Sequence, residues 1–225
     1  MTKKLITYIL LFAVAPAVVL CGSILFEDKQ YAWISICLCI IGCLPFFYMF
    51  EKGRASTGRL VLIAVMVALT VAGRVLFAPI PGFKPVTALV VITAMYFGGE
   101  AGFITGAMSA LLSNFYFGQG PWTPFQMFVW GIIGLIAGLI APFLKKSRIC
   151  LAVYGAISGV VYSLLMDVWT VLWWDGMFHA ERYVAAVLSA AGFMAVYAVS
   201  NVVFLLLLAK PIGKKLERVQ KKYGL

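Results

Sequence analysis

The stretch from Ser113 to Met127 sets three carboxamides, Asn114, Gln119 and Gln126, among five aromatic rings, Phe115, Tyr116, Phe117, Trp122 and Phe125, without one charged residue. Rings offer flat faces for stacking, and carboxamides offer paired donors and acceptors. Together they suit a flat, polar, largely uncharged organic ligand. Gly118, Gly120, Pro121 and Pro124 in the same stretch predict a turn that holds these side chains at fixed angles. An aromatic belt at the lipid headgroups accounts for Trp122 and Tyr116, but not for amides between glycine and proline.

Four further residues bear on the same ligand. Arg74 and Lys84 bracket the segment Arg74–Pro85, whose three prolines and Gly82 predict a stiff irregular loop that presents both cations and Phe83 over a pocket. The plain alternative is interfacial snorkelling. Asp167 stands in an apolar run beside Met166, Val168 and Trp169, and a carboxylate in hydrocarbon is a functional candidate, with Arg74 or Lys84 as partner. A structural ion pair between helices is the alternative.

The remaining reactive residues point to no chemistry. His179 is the single histidine and reads as a solvated loop side chain. Cys21, Cys37, Cys39 and Cys43 lie among Leu, Ile and Val, off any structural zinc spacing, and with Cys150 read as small apolar filler. The chain has no Walker A loop, Gly-x-Ser-x-Gly or His-Glu-x-x-His, and no ladder of intramembrane acids. No catalytic residue, metal site or cofactor is expected.

The elements that hold these residues follow from composition. Of 225 residues 64% are hydrophobic and 12% charged, with mean hydropathy +1.03. Such a surface belongs in a bilayer, where backbone polar groups must pair internally, and the long apolar runs select helices over a barrel. The expected fold is an all-α polytopic bundle. Apolar runs fall at 5–26, 31–50, 59–77, 86–98, 101–117, 124–143, 149–174 and 182–209. The first reads as a retained helix, not a signal peptide. The fourth and fifth are short, and form either two spans or a tight hairpin that does not fully cross.

Charge placement agrees with eight spans. With the N-terminus inside, Lys3, Lys4, Lys52, Arg54, Arg59, Lys145, Lys146, Arg148, Lys210, Lys214, Lys215, Arg218, Lys221 and Lys222 are cytoplasmic. Lys29, Arg74, Lys84 and Arg182 alone are external, and the bias sets both termini in the cytoplasm. It also explains the net charge of +10 through anionic lipid, with no nucleic acid partner. The polar segment 51–58 divides an accessory hairpin over 1–50 from a six-span binding core over 59–210, with a basic cytoplasmic tail over 211–225. On the first core span Ala64, Ala68 and Ala72 form a flat stripe that admits a close helix neighbour, inside the bundle or outside it.

The alanine stripe, the proline-rich loop Phe77–Pro85 and the string Phe117-Gly118-Gln119-Gly120-Pro121-Trp122-Thr123-Pro124-Phe125-Gln126 resemble the S component, the membrane-embedded substrate-binding subunit, of energy-coupling factor (ECF) vitamin transporters. The resemblance covers 59–210, about two thirds of the chain; the hairpin over 1–50 and the amide-rich loops depart from it. It implies a subunit of an ECF-type ABC importer in a prokaryotic plasma membrane. Its partners would be a coupling membrane subunit and two ATPase subunits, which would hydrolyse the ATP. It implies docking through Ala64, Ala68 and Ala72, and a vitamin site drawn from Arg74, Phe83, Lys84, Asn114, Gln119, Trp122, Gln126 and Asp167. Vitamin captured outside would be released inside when the docked subunit topples. A cobalamin-type corrinoid is the preferred ligand, since an uncharged amide rim suits a molecule fringed with carboxamides. Folate, pantothenate, riboflavin and a queuosine precursor stay open, and Arg74 with Lys84 would suit an anion. The competing classes are a membrane enzyme using Asp167 and His179, and a secondary transporter that needs no ATPase.

Overall fold

A computed structural model describes residues 57–224. The expected hairpin over 1–50, with Cys21, Cys37, Cys39 and Cys43, lies outside them, as do Lys3, Lys4, Lys29, Lys52 and Arg54. Seven helices occupy the described residues: α1 (Thr57–Leu76), α2 (Val86–Phe97), α3 (Gly99–Phe117), α4 (Trp122–Leu139), α5 (Ala141–Lys146), α6 (Arg148–Asp175) and α7 (Ala180–Tyr223). No strand occurs among them. The protein is the all-α membrane bundle that composition requires, and α1, α4, α6 and α7 are each long and apolar enough to cross a bilayer.

The bundle is built around its shortest apolar span. At twelve residues α2 climbs about 18 Å, well short of a hydrocarbon core. Every residue of it but Tyr96 is buried, so it has no lipid-facing side. Its Thr93 hydroxyl is satisfied locally, donating to Leu89 O at 2.8 Å. Thr70 and Thr105 do the same on α1 and α3, at 2.7 and 2.8 Å. A buried hydroxyl that bonds the preceding turn costs little in a membrane interior.

Beside it α3 and α4 meet backbone to backbone. A Cβ added to Gly102 would lie 2.7 Å from Gly134 O, one on Gly106 2.5 Å from Trp130 O, and one on Gly138 would run into Gly99 N. Only glycine permits that approach, and close van der Waals packing is what joins helices in lipid. The second tight pair is α6 with α7, where Gly159 faces the Ala198 backbone and Asn201 Nδ2 donates to Gly155 O at 3.3 Å.

Two predicted boundaries move. The run over 124–143 ends at Leu139, and the short α5 begins beyond it with Pro142 in its first turn, where a missing N–H costs nothing. The run over 182–209 starts at Ala180 and continues as helix past Pro211 to Tyr223. The segment set apart as a basic tail therefore extends α7. Its inward face stays packed through buried Gly213 and Leu216, and Gln220 Nε2 donates to Tyr96 O at 2.9 Å. Apolar runs mark where lipid is, not where a helix stops.

The bundle has two chemically distinct ends. At the basic end Arg59 donates to Phe97 O, joining the start of α1 to the end of α2, and Lys145 stands 4.3 Å over the Tyr96 ring. At the opposite end the α1–α2 loop, the α3–α4 turn and the end of α6 come together.

Candidate functional site

The site grows from Arg74 in the last turn of α1. Its guanidinium donates to Ser113 Oγ and, at 2.7 Å, to Asn114 Oδ1, both at the end of α3. The same group lies 4.5 Å from the Phe117 ring centroid and 5.1 Å from that of Trp130. Guanidinium suits this setting because it is planar, weakly hydrated and rich in donors.

Arginine has donors only, and this fixes the direction of the whole chain of bonds behind it. Asn114 must present its oxygen to Arg74, so its Nδ2 faces away, donating to Thr123 Oγ1 and Gln126 Oε1, each at 2.9 Å. Gln126 is left to donate from Nε2 to Tyr162 Oη at 2.7 Å. Asn114 is 1% exposed and Gln126 6%, so these bonds are made out of contact with water.

Aromatic rings close the cluster. Trp130 stacks on Tyr162 with centroids 5.1 Å apart, Tyr162 meets Tyr197 at 4.8 Å, and Tyr197 stacks with Phe193 at 6.4 Å. Tyr197 Oη accepts from Trp130 Nε1 and shares a hydrogen bond with Thr87 Oγ1, both at 2.9 Å. Six helices thus supply one polar and aromatic centre in an otherwise apolar bundle.

The α1–α2 loop brings the second cation. A Cβ on Gly73 would lie 2.7 Å from Pro85 Cγ, so glycine there lets the loop fold back against α1. Gly82 turns it at φ +72°, a conformation that favours glycine. Lys84 Nζ then lies 4.6 Å from the Phe117 centroid, on the ring that also meets Arg74. Partial burial, and secondarily the charge of Arg74, hold its ammonium below the usual lysine range.

The sequence-predicted residues divide into three groups. Arg74, Asn114 and Gln126 form the bonded core, and Lys84 joins them through Phe117. Gln119 and Trp122 shape the rim: Gln119 bonds back to Leu111 O at 2.8 Å and accepts from Thr123 Oγ1 at 3.0 Å, while Trp122 meets Trp169 edge-on at 6.0 Å. Phe83 and Asp167 lie apart. Phe83 packs 5.0 Å from Phe204. Asp167 has a buried Oδ2 with no hydrogen-bond partner among the described residues, and pairs with neither Arg74 nor Lys84. The ion pair of that region joins Asp175 to Arg182 at 3.7 Å, in a wide cleft of about 800 Å³ that also holds His179 and none of the predicted site residues.

Sequence reasoning missed Ser113, Thr87, Trp130, Tyr162 and Tyr197. The signal was present for the tyrosines: each is a hydroxyl inside an apolar helix that must find a partner.

The stripe of Ala64, Ala68 and Ala72 is exposed, flanked by exposed Val61, Val65 and Leu69, and does not pack within the described bundle.

No curated protein and no solved structure matches the chain. The family model for the ECF-type riboflavin transporter S component matches residues 54–218, well over half the length and all of the site just described. This polytopic membrane protein therefore belongs to the family of ECF-type riboflavin transporter S components.

Proposed function

We propose that the chain is the substrate-binding subunit of an ECF-type importer and that its ligand is riboflavin or a close flavin. The observation that carries the reading is the bonded chain Arg74–Asn114–Gln126–Tyr162 beside the Trp130, Tyr162 and Tyr197 rings. A flavin is a flat ring system whose one edge alternates carbonyls with ring nitrogens. Aromatic rings and amide donors and acceptors are the matching chemistry, and a bound flavin would exchange bonds within the chain for bonds to its edge. The name of the matched family supports the same ligand.

The corrinoid expectation gives way because the matched family is that of riboflavin S components. It rested on free amides at the rim, but Asn114, Gln119 and Gln126 spend their hydrogen bonds on each other, on Thr123 and on the backbone.

Capture from outside, docking of Ala64, Ala68 and Ala72 on a coupling membrane subunit, and toppling driven by two ATPase subunits complete the proposal, with both termini in the cytoplasm. The exposed stripe supports the docking part.

The test is titration of the purified protein with riboflavin, followed by quenching of flavin fluorescence, with cobinamide and folate measured in parallel by calorimetry. Submicromolar riboflavin binding is expected. Arg74→Lys keeps the charge and loses the fork, and should weaken binding about tenfold or more, the worth of one hydrogen bond to a charged group. Tight cobinamide binding without riboflavin binding would reverse the choice of ligand.

A further inference from the structure

At the basic end a recess of about 320 Å³ opens where α2, α5, α6 and α7 meet. Five cations line it: Lys145 and Lys146 from α5, Arg148 from α6, and Lys210 and Lys214 from α7. Among the described residues no acid lines it; Glu217, which interacts electrostatically with Tyr96, is outside the lining. The inner wall is apolar, with Leu144, Leu151 and Leu205 buried. Tyr96 forms part of the lining and is clamped: Lys145 stands over its ring, and a Cβ at Gly213 would collide with its hydroxyl.

A general bias of basic residues to one side of the membrane explains the sign of these charges but not their convergence on a cavity. Cations on three separate helices surround one volume, which is the arrangement an anionic headgroup requires. The apolar wall distinguishes a lipid from a soluble anion, because glycerol and the first methylenes of the chains need cover. Phe143, Ile149 and Leu207, each next in sequence to a lining residue or one removed from it, are exposed and offer acyl chains a way into hydrocarbon.

We propose that this recess binds the phosphate headgroup of an anionic phospholipid from the leaflet at the basic end. The site is independent of which vitamin the opposite end takes.

The test uses the full chain in detergent, with added phosphatidylglycerol, phosphatidylcholine or inorganic phosphate, read by native mass spectrometry and by Tm. Phosphatidylglycerol should persist as an adduct and raise Tm; the other two should do neither. The variant K145Q/K210Q/K214Q should hold the adduct about a hundredfold more weakly, at roughly fivefold per lysine, while K145R/K210R/K214R keeps it. Lys145→Gln alone reads the single fivefold step where the triple variant fails to fold, with helix content by circular dichroism as the control. Equal adduct formation by folded wild type and glutamine variants would overturn the proposal. Equal stabilisation by inorganic phosphate would assign the recess to a soluble anion and overturn the lipid source.

Discussion

Lys84 is anchored by its backbone, leaving its side chain free to be altered. Its N–H donates to Ser200 Oγ at 2.9 Å, and the same hydroxyl donates to its carbonyl at 3.2 Å. Lys84→Met should therefore keep the loop and remove only the ammonium. The folded chain releases that proton at lower pH than the unfolded chain does, whose lysine titrates near 10.5. Within that window the unfolded state binds more protons, so the folded state gains stability as pH rises. The Tm of wild type should climb relative to Lys84→Met as pH approaches 10.5 from below, and a pH-independent difference between the two would refute the mechanism. At this scale the sequence was legible where polarity interrupts apolar runs, as with Arg74, Asn114 and Gln126. Asp167 showed the limit: its cost in hydrocarbon was visible, but the distance to a cation depends on helix rotation, which spacing alone does not set.

Among the elements, α3 and α4 determine whether Asn114 meets Gln126 at all. Their seam leaves no room for a methyl: a Cβ on Gly134 would lie 2.5 Å from the Gly102 carbonyl carbon. Gly134→Ala should lower Tm by roughly 2–12 °C, from an overpacking cost of roughly 1–3 kcal/mol, and weaken flavin binding with it. Gly192→Ala is the matched control, since a Cβ there meets nothing within 4 Å among the described residues and helix propensity favours alanine. Thermal melts of the two variants check both outcomes; equal effects would show that the seam does not set the site. Helix positions were readable because a bilayer leaves the backbone few alternatives. The seam was also in the sequence, as Gly102-x-x-x-Gly106 facing Gly134-x-x-x-Gly138, yet the exposed alanines of α1 carry the same spacing. Small residues every fourth position mark a close contact without saying with whom.

For the whole molecule, binding and transport should separate. Ala64→Leu with Ala68→Leu adds bulk to an exposed face that touches neither the site nor the bundle core. The purified variant should bind flavin as wild type does, while uptake in cells supplying an ECF coupling module falls to background. Retained uptake would remove the stripe from docking. That the chain is an S component was readable from loops and spans together. Its ligand was not, because an amide in a sequence does not disclose whether its bonds are already taken.

α7 gives the molecule a property none of its parts has. Its 44 residues climb about 66 Å, roughly twice the thickness of a hydrocarbon core. Tyr197 and Ser200, near its middle, join the aromatic centre and the α1–α2 loop, while Lys210 and Lys214 beyond them line the basic recess and Gln220 bonds to Tyr96 O. Such a rod is a lever. A tilt of about 10° about the aromatic centre carries the C-terminal tip, about 39 Å away, by about 7 Å, more than one turn of helix.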